Sequence, residues 1–338
     1  MEKILHQFFE FERLEEALPF GNGHINDTYK ISLLQKGVTH HYLLQRLNDK
    51  IFQQPDAVME NVQLVADHLS KKEYPLFILK PFKTKKGALL FRDEKENYWR
   101  VFNFFENTIS FDKVESTTQA FQAAKAYGCF VKTLSDVKIN QLNTTIPDFH
   151  NSKKRMSDFL MATKKGLPER VAEAKNEIDL ILRHEYLFKK INQLNLPLRA
   201  VHYDTKINNV LFDKTTKKVV AVVDLDTVMP GTLLSDFGDM VRTFTSAFDE
   251  DEQDFLKVKI RVDIYEALSE GFLSEMGSLL TVQEKENLPV AGSWLTLMQA
   301  VRFLGDYLQG DSYYKIKYPD HNLVRAKNQL ALFQSMQQ

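Results

Sequence analysis

The sequence predicts an α+β fold in two parts: a small antiparallel sheet up to about residue 105, then a larger, mainly helical part. Three observations carry this. Strand-like runs, rich in aromatic and β-branched residues and punctuated by glycine turns, crowd into the first third of the 338 residues. From Ser116 onward apolar residues recur mostly at helical spacing. Within that helical part, two short apolar runs (210–212 and 219–223) flank the polar turn 213–218 and read as one β-hairpin. The boundary follows: residues 1–105 as one lobe, 106–338 as the other. Hydrophobic content of 43% and charged content of 26% suit a soluble globular chain, and a net charge of -1 offers no basic field for nucleic acid. The single Cys129 excludes an internal disulfide framework and suits a reducing compartment. The acidic N-terminal stretch lacks a signal-peptide apolar core, and no run reaches transmembrane length. The expectation is a cytoplasmic protein with no membrane, nucleic-acid or obligate protein partner.

In chain order, residues 1–18 read as an amphipathic helix, with Leu5, Phe8, Phe9 and Leu14 as core candidates. Gly21 and Gly23 open a turn, and strands follow on either side of a second turn at Gln35-Lys36-Gly37. Pro55–Ser70 reads as a helix with Met59, Val62, Val65 and Leu69 on one face. Residues 76–79 and 88–91 are further strand candidates, and 98–105 is strongly β-prone before the polar break at Glu106. Helices are expected over 117–134, from Ser152, over 170–194 as one long helix, near 252–273, from Val282 and from Trp294, and from Asn322 onward. No internal repeat is present.

The hairpin carries the chemistry. Asn209 stands just before its first strand and Asp224 just after its second, so closing it brings an amide oxygen beside a carboxylate; Asp204 lies one loop away. Such an oxygen-rich set suits Mg²⁺, with a spare carboxylate to orient a hydroxyl. His202-x-Asp204-x-x-x-x-Asn209 followed by Asp224 resembles the catalytic segment of the aminoglycoside phosphotransferase and choline kinase group, small-molecule kinases with a two-lobed, protein-kinase-like fold. The wording H-Y-D-T-K-I-N-N, then V-D-L-D-T-V-M-P-G, is more similar still to the N-acetylhexosamine 1-kinases, and the resemblance covers nearly the whole chain.

The resemblance implies ATP and Mg²⁺ as cofactors, Asp204 as the catalytic carboxylate and Asn209 with Asp224 as metal ligands. It implies a phosphate flap at Gly21 and Gly23, Arg46 over the phosphates paired with Glu60, and adenine beside Asn103 and Phe105. It further implies a sugar acceptor held by Asp204, Arg302 and Asp306, with His24 and His150 as lesser candidates; Arg302 and Asp306 stand four apart on one helix face. His202 is expected to brace the loop, and Asp226 to act through water or cap a turn. The literal Asp236-Phe237-Gly238 falls beyond the hairpin, so Asp236 reads as a helix N-cap bracing the catalytic loop, not as a metal ligand. The expected reaction is transfer to a sugar hydroxyl, with the anomeric position of an N-acetylhexosamine first. Aminoglycoside, choline, homoserine or another sugar are the alternatives. Two other classes compete: Val222 to Val228 also resembles the first motif of haloacid-dehalogenase phosphatases, which requires βαβ repeats downstream, and a nucleotide-binding pseudokinase would lack the Asp204, Asn209 and Asp224 set.

Overall fold

The computed structural model describes residues 1–21 and 25–338, so the expected roles of Gly23 and His24 lie outside the described residues. The elements run α1 (Glu2–Leu5), β1 (Arg13–Pro19), β2 (Asp27–Gln35), β3 (Val38–Leu47), α2 (Pro55–Ser70), β4 (Pro81–Phe82), β5 (Phe91–Arg92), β6 (Tyr98–Asn103), β7 (Thr108–Ile109) and α3 (Thr117–Thr133). Then come α4 (Ser152–Lys165), α5 (Pro168–Glu173), α6 (Lys175–Arg183), α7 (Tyr186–Asn192), β8 (Arg199–Val201), β9 (Val210–Asp213), β10 (Val219–Val222) and β11 (Met229–Gly231). The helices α8 (Leu233–Thr245), α9 (Val262–Met276), α10 (Val282–Leu308) and α11 (His321–Ser335) complete the chain. They form two compact units: Met1–Ser110 with Thr133–Pro147 and Val210–Pro230, and Phe111–Lys132 with Asp148–Asn209 and Gly231–Gln338.

The first unit is built on an antiparallel sheet of order β1-β2-β3-β6-β4, with β5 also on β6. Lys36 and Gly37 both have positive φ (50° and 77°), the two-residue hairpin geometry whose twist matches that of the β2 and β3 strands. Ile31 and Leu33 of β2 are buried and pack with Leu44, Trp99, Val101, Leu5 and Phe8. Helix α2 starts with Pro55 at its first turn and buries Val58, Met59, Val62, Val65 and Leu69, as its spacing predicts. The expected hairpin is present as β9 and β10, pairing Val210 with Val222, and β7 joins β9 to make a three-stranded sheet.

The second unit is helical. Helix α10 opens with a capping box, Thr281 and Glu284, and buries Trp294, Leu297, Phe303 and Tyr307. Helix α8 lies close against it: a Cβ on Gly238 would come within 2.6 Å of the Ala291 carbonyl oxygen, so only glycine permits this approach.

Three sequence expectations are corrected. Residues 1–18 form only the short α1, and 13–19 become edge strand β1, because Leu14 and Ala17 reach the sheet core only when extended beside β2. Residues 76–79 form no strand: a single bridge joins Phe77 to Ala221, and β4 starts later at Pro81. Helix 170–194 is broken at Ala174 (φ -89°, ψ 16°) and His184 (φ -107°, ψ 13°), which lets Ile178, Ile181, Leu187 and Phe188 all turn inward. Beyond Asp226 the described chain is one three-residue strand and four helices, so the βαβ repeats a haloacid-dehalogenase site needs are not there. No helix among the described residues is long and apolar enough to cross a membrane.

Candidate active site

The loop that carries Asp204 leaves β8 and is fixed from below by Asp236. That carboxylate is fully buried and accepts the backbone N–H groups of His202 (2.8 Å) and Tyr203 (2.7 Å), while its own carbonyl accepts the Thr205 hydroxyl (2.7 Å). Asp236 is not the N-cap of α8, because Thr232 holds that position; it sits one turn inside, where its side chain reaches sideways to the loop. The His202 ring is buried edge-on against Tyr127 (5.4 Å) and Phe130 (5.9 Å). Tyr127 in turn donates its hydroxyl to the Lys206 carbonyl (2.7 Å).

Pinned in this way, the loop presents Asp204. The amide of Asn209 donates to the Asp204 carbonyl (2.8 Å) and to its Oδ2 (3.0 Å), and the Lys206 ammonium lies 3.1 Å from the same oxygen. Among the described residues, Oδ1 accepts no hydrogen bond. Burial pushes the Asp204 carboxyl upward, but Lys206, His202 and the Asn209 amide outweigh it, so the group is held below the usual carboxylate range. It is therefore ionised at neutral pH, with one oxygen presented. Lys206, which sequence reasoning missed, had a signal: a cation two residues after the key aspartate.

Asn209 spends both amide hydrogens on Asp204, which leaves its carbonyl oxygen as the atom able to meet a cation. Asp224 follows β10 in a left-handed conformation (φ 60°, ψ 62°) that turns the chain out of the strand. An amide oxygen and a carboxylate are each hard donors of the kind a divalent ion takes. Asp226 is committed elsewhere, to a bidentate pair with Arg100 (2.6 and 2.7 Å) and to the Asn26 amide (2.9 Å), and neither expected role describes it. Both partners are buried, and Arg100 projects from β6 beside Gln45 of β3. The signal for Arg100 was a lone arginine in a strongly apolar strand, which requires a buried acid.

The expected Arg46–Glu60 pair does not form. Arg46 stands directly across from Asp27 in the β2–β3 register and pairs with it, whereas Glu60 accepts the Asn143 amide (2.9 Å). Asn103 is likewise spent: its backbone N–H and side chain bond to Ile78 and Lys80, so it braces that segment. Phe105 stacks on Phe77 (5.8 Å), and Gly21 has φ 78° with open space around it.

In the helical unit, Arg302 lies over the rings of Phe149 (5.1 Å) and Tyr314 (5.6 Å) and donates to Gln299 (3.1 Å). Phe149 meets Tyr203, the neighbour of Asp204, edge-on at 5.8 Å. His150 stacks on Phe149 (4.6 Å), and burial, then Arg302, Arg242 and Arg155, hold its imidazole well below its ordinary value, so it is neutral. Asp306 is not available to a ligand: Oδ1 accepts the N–H groups of Ser312 and Tyr313, and Oδ2 those of Tyr314 and Asn322.

Residues 16–263 match the sequence profile described as the phosphotransferase enzyme family. Among solved structures the chain is similar to an aminoglycoside phosphotransferase from Alicyclobacillus acidocaldarius, with 12% identity, all of this chain and 95% of that one covered, and a TM-score of 0.65. It is also similar to a microcompartment-associated aminopropanol kinase (13% identity, 98% and 95% covered, TM-score 0.63). A spectinomycin phosphotransferase in complex with ADP and spectinomycin matches at 11% identity, 97% and 94% coverage and TM-score 0.59. At these identities the likeness is one of fold, and that fold is the two-part, protein-kinase-like arrangement of antiparallel sheet and helices.

Proposed function

Given that the chain belongs to the phosphotransferase enzyme family, we propose that it transfers the γ-phosphoryl group of ATP to a hydroxyl of a small sugar. The anomeric hydroxyl of an N-acetylhexosamine is the first candidate, with the sugar 1-phosphate as product. One observation carries this reading: Asp204 is held ionised through Oδ2 by Asn209 and Lys206, while Oδ1 is left to receive a hydroxyl. Use of ATP is supported by a neighbour of the same fold that was solved with ADP.

In this mechanism the acceptor hydroxyl donates to Asp204 Oδ1 and is aimed in line with the γ-phosphorus. The new O–P bond forms as the bond to the β-phosphate bridging oxygen breaks. The hydroxyl proton passes to Asp204 late, and ADP leaves. Lys206 offsets charge beside the transferred group. Asn209 and Asp224 are the residues that would hold Mg²⁺, which when bound neutralises phosphate charge. The Asp236 bonds keep Asp204 at a fixed height, an orientation effect and not a chemical step.

The test is a product-resolved screen of hexosamines, hexoses, choline, homoserine and aminoglycosides with ATP, on wild type and Asp204→Asn. A drop in kcat of about 10²–10⁴, with nucleotide affinity within about threefold, is the expected result. Turnover in Asp204→Asn at the wild-type rate removes Asp204 from the mechanism.

A further inference from the structure

Helices α4 and α10 and the loop after α10 enclose a cavity of about 250 Å³ whose walls include Arg155, Arg302, Tyr313 and Tyr314. It carries two guanidinium groups. Among the described residues neither lies within ion-pair distance of a carboxylate: Arg155 donates only to the Phe149 carbonyl (3.3 Å) and Arg302 only to the Gln299 amide (3.1 Å). The two acids on the same wall are already spent. Asp158 is paired with Lys154, and Asp306 is consumed by the backbone of residues 312–314 and by Asn322. Both arginines are partly buried, and Arg155 is held below its ordinary value first by burial and then by the charge of Arg302. Two like charges share a half-closed space whose two acids are engaged with other partners.

We infer that this cavity binds the anionic substituent, a carboxylate or a phosphate, of a sugar acceptor through the paired forks of Arg155 and Arg302. An arginine fork matches either anion bidentately, and a lysine would not. Tyr314 and Phe149 complete the fit by presenting ring faces to Arg302, which hold its guanidinium plane in one orientation. Phe149 links this wall to the Asp204 loop, because it meets both Arg302 and Tyr203, the neighbour of Asp204. A cationic acceptor is repelled here, and a neutral sugar leaves the two arginines uncompensated. The inference rests on the acceptor reading of this wall, but its test needs no turnover.

Calorimetric titration of the full chain without nucleotide compares N-acetylglucosamine, its 6-phosphate and its 6-carboxylate analogue. At least one anionic sugar is expected to bind about tenfold or more tighter than the neutral one, and which of the two does so identifies the anion. Arg155→Gln and Arg302→Gln should each bring the anionic-to-neutral ratio below about twofold. Arg155→Lys, which keeps the charge and loses the fork, should leave an intermediate ratio and controls for misfolding. Equal affinity for all three sugars, or an Arg155→Gln loss shared equally by neutral and anionic sugars, overturns the inference. An anionic sugar that binds by way of both arginines yet receives no phosphoryl group from ATP sustains the anion site and overturns the kinase reading instead.

Discussion

Asp236 shows how one buried side chain can hold a loop and titrate while doing so. Burial pushes its carboxyl up to about 7, Asp239 and Asp204 push the same way, and the two N–H groups from His202 and Tyr203 oppose them. The sign of the consequence follows from linkage. A carboxyl whose folded value lies above its unfolded value keeps its proton longer in the native state. Its stabilising contribution is full below about pH 4 and is lost as pH rises through about 7. Asp236→Asn is therefore expected to be destabilising, most strongly near pH 4–5 and less so at pH 8, when unfolding by urea is followed at each pH. A deficit that widens with pH would show that the two N–H groups keep Asp236 ionised throughout. Arg100 poses a second question at this scale. Truncation to Met strands the buried Asp226 carboxylate and is expected to cost about 3–5 kcal/mol. The pair Arg100→Met with Asp226→Leu should recover part of that loss in the same denaturation assay, and a double variant no better than the single would deny the pair its role. Neither residue's partner was legible in the sequence, because Asp226 and Arg100 stand 126 residues apart and meet only when sheet and hairpin close.

At the scale of elements, legibility followed periodicity. Helix α2 was readable because its apolar residues keep one period from Pro55 onward, and the β9–β10 hairpin because two apolar runs flank the polar turn at 213–218. The N-terminal segment was not, since Leu5, Phe8 and Leu14 satisfy a helical spacing as well as they fit a strand; pairing with β2 decides, and pairing is non-local. Helix 170–194 failed for the converse reason, as its apolar residues continue in phase through breaks that tertiary packing imposes at Ala174 and His184. The same gap between local and tertiary information holds for the loop that carries Asp204. Its Asp204 and Asn209 are a fixed distance apart in sequence and were recognised, but the backbone cost that holds them was invisible. Tyr203 occupies the left-handed region (φ 66°), unusual for a bulky residue, and packs on Gly231, where an added Cβ would come within 2.3 Å of the phenol oxygen. Gly231→Ala is thus expected to displace Tyr203 and lower kcat by about tenfold or more with a smaller change in KM, a positioning loss. Combining it with Tyr203→Ala should give less than the sum of the two single effects, as coupled neighbours do. Strict additivity would mean that the glycine acts somewhere else.

For the whole molecule, the question is what one bound nucleotide does to a chain of two compact units. A ligand that binds only the native state stabilises it by RT ln(1 + [L]/Kd), about 2.7 kcal/mol at a hundredfold excess over Kd. If Asn209 and Asp224 supply the oxygen ligands proposed for Mg²⁺, that stabilisation has two separable parts. ATP with Mg²⁺ should raise the melting temperature by several degrees, and ATP with EDTA by clearly less. Asp224→Ala should abolish the difference between those two conditions while keeping the metal-independent part. Asp204→Asn, which removes charge from the acceptor side and leaves the expected metal ligands in place, should preserve the difference. The comparison also bears on the competing readings. A phosphomonoesterase would be stabilised by a phosphomonoester more than by ATP, and a pseudokinase would shift with nucleotide yet transfer nothing. Equal shifts with and without Mg²⁺ in wild type would take Asn209 and Asp224 out of metal binding, and with them the electrostatic half of the proposed transfer, because a carboxylate at Asp204 alone orients a hydroxyl but does nothing to neutralise the phosphates it must attack.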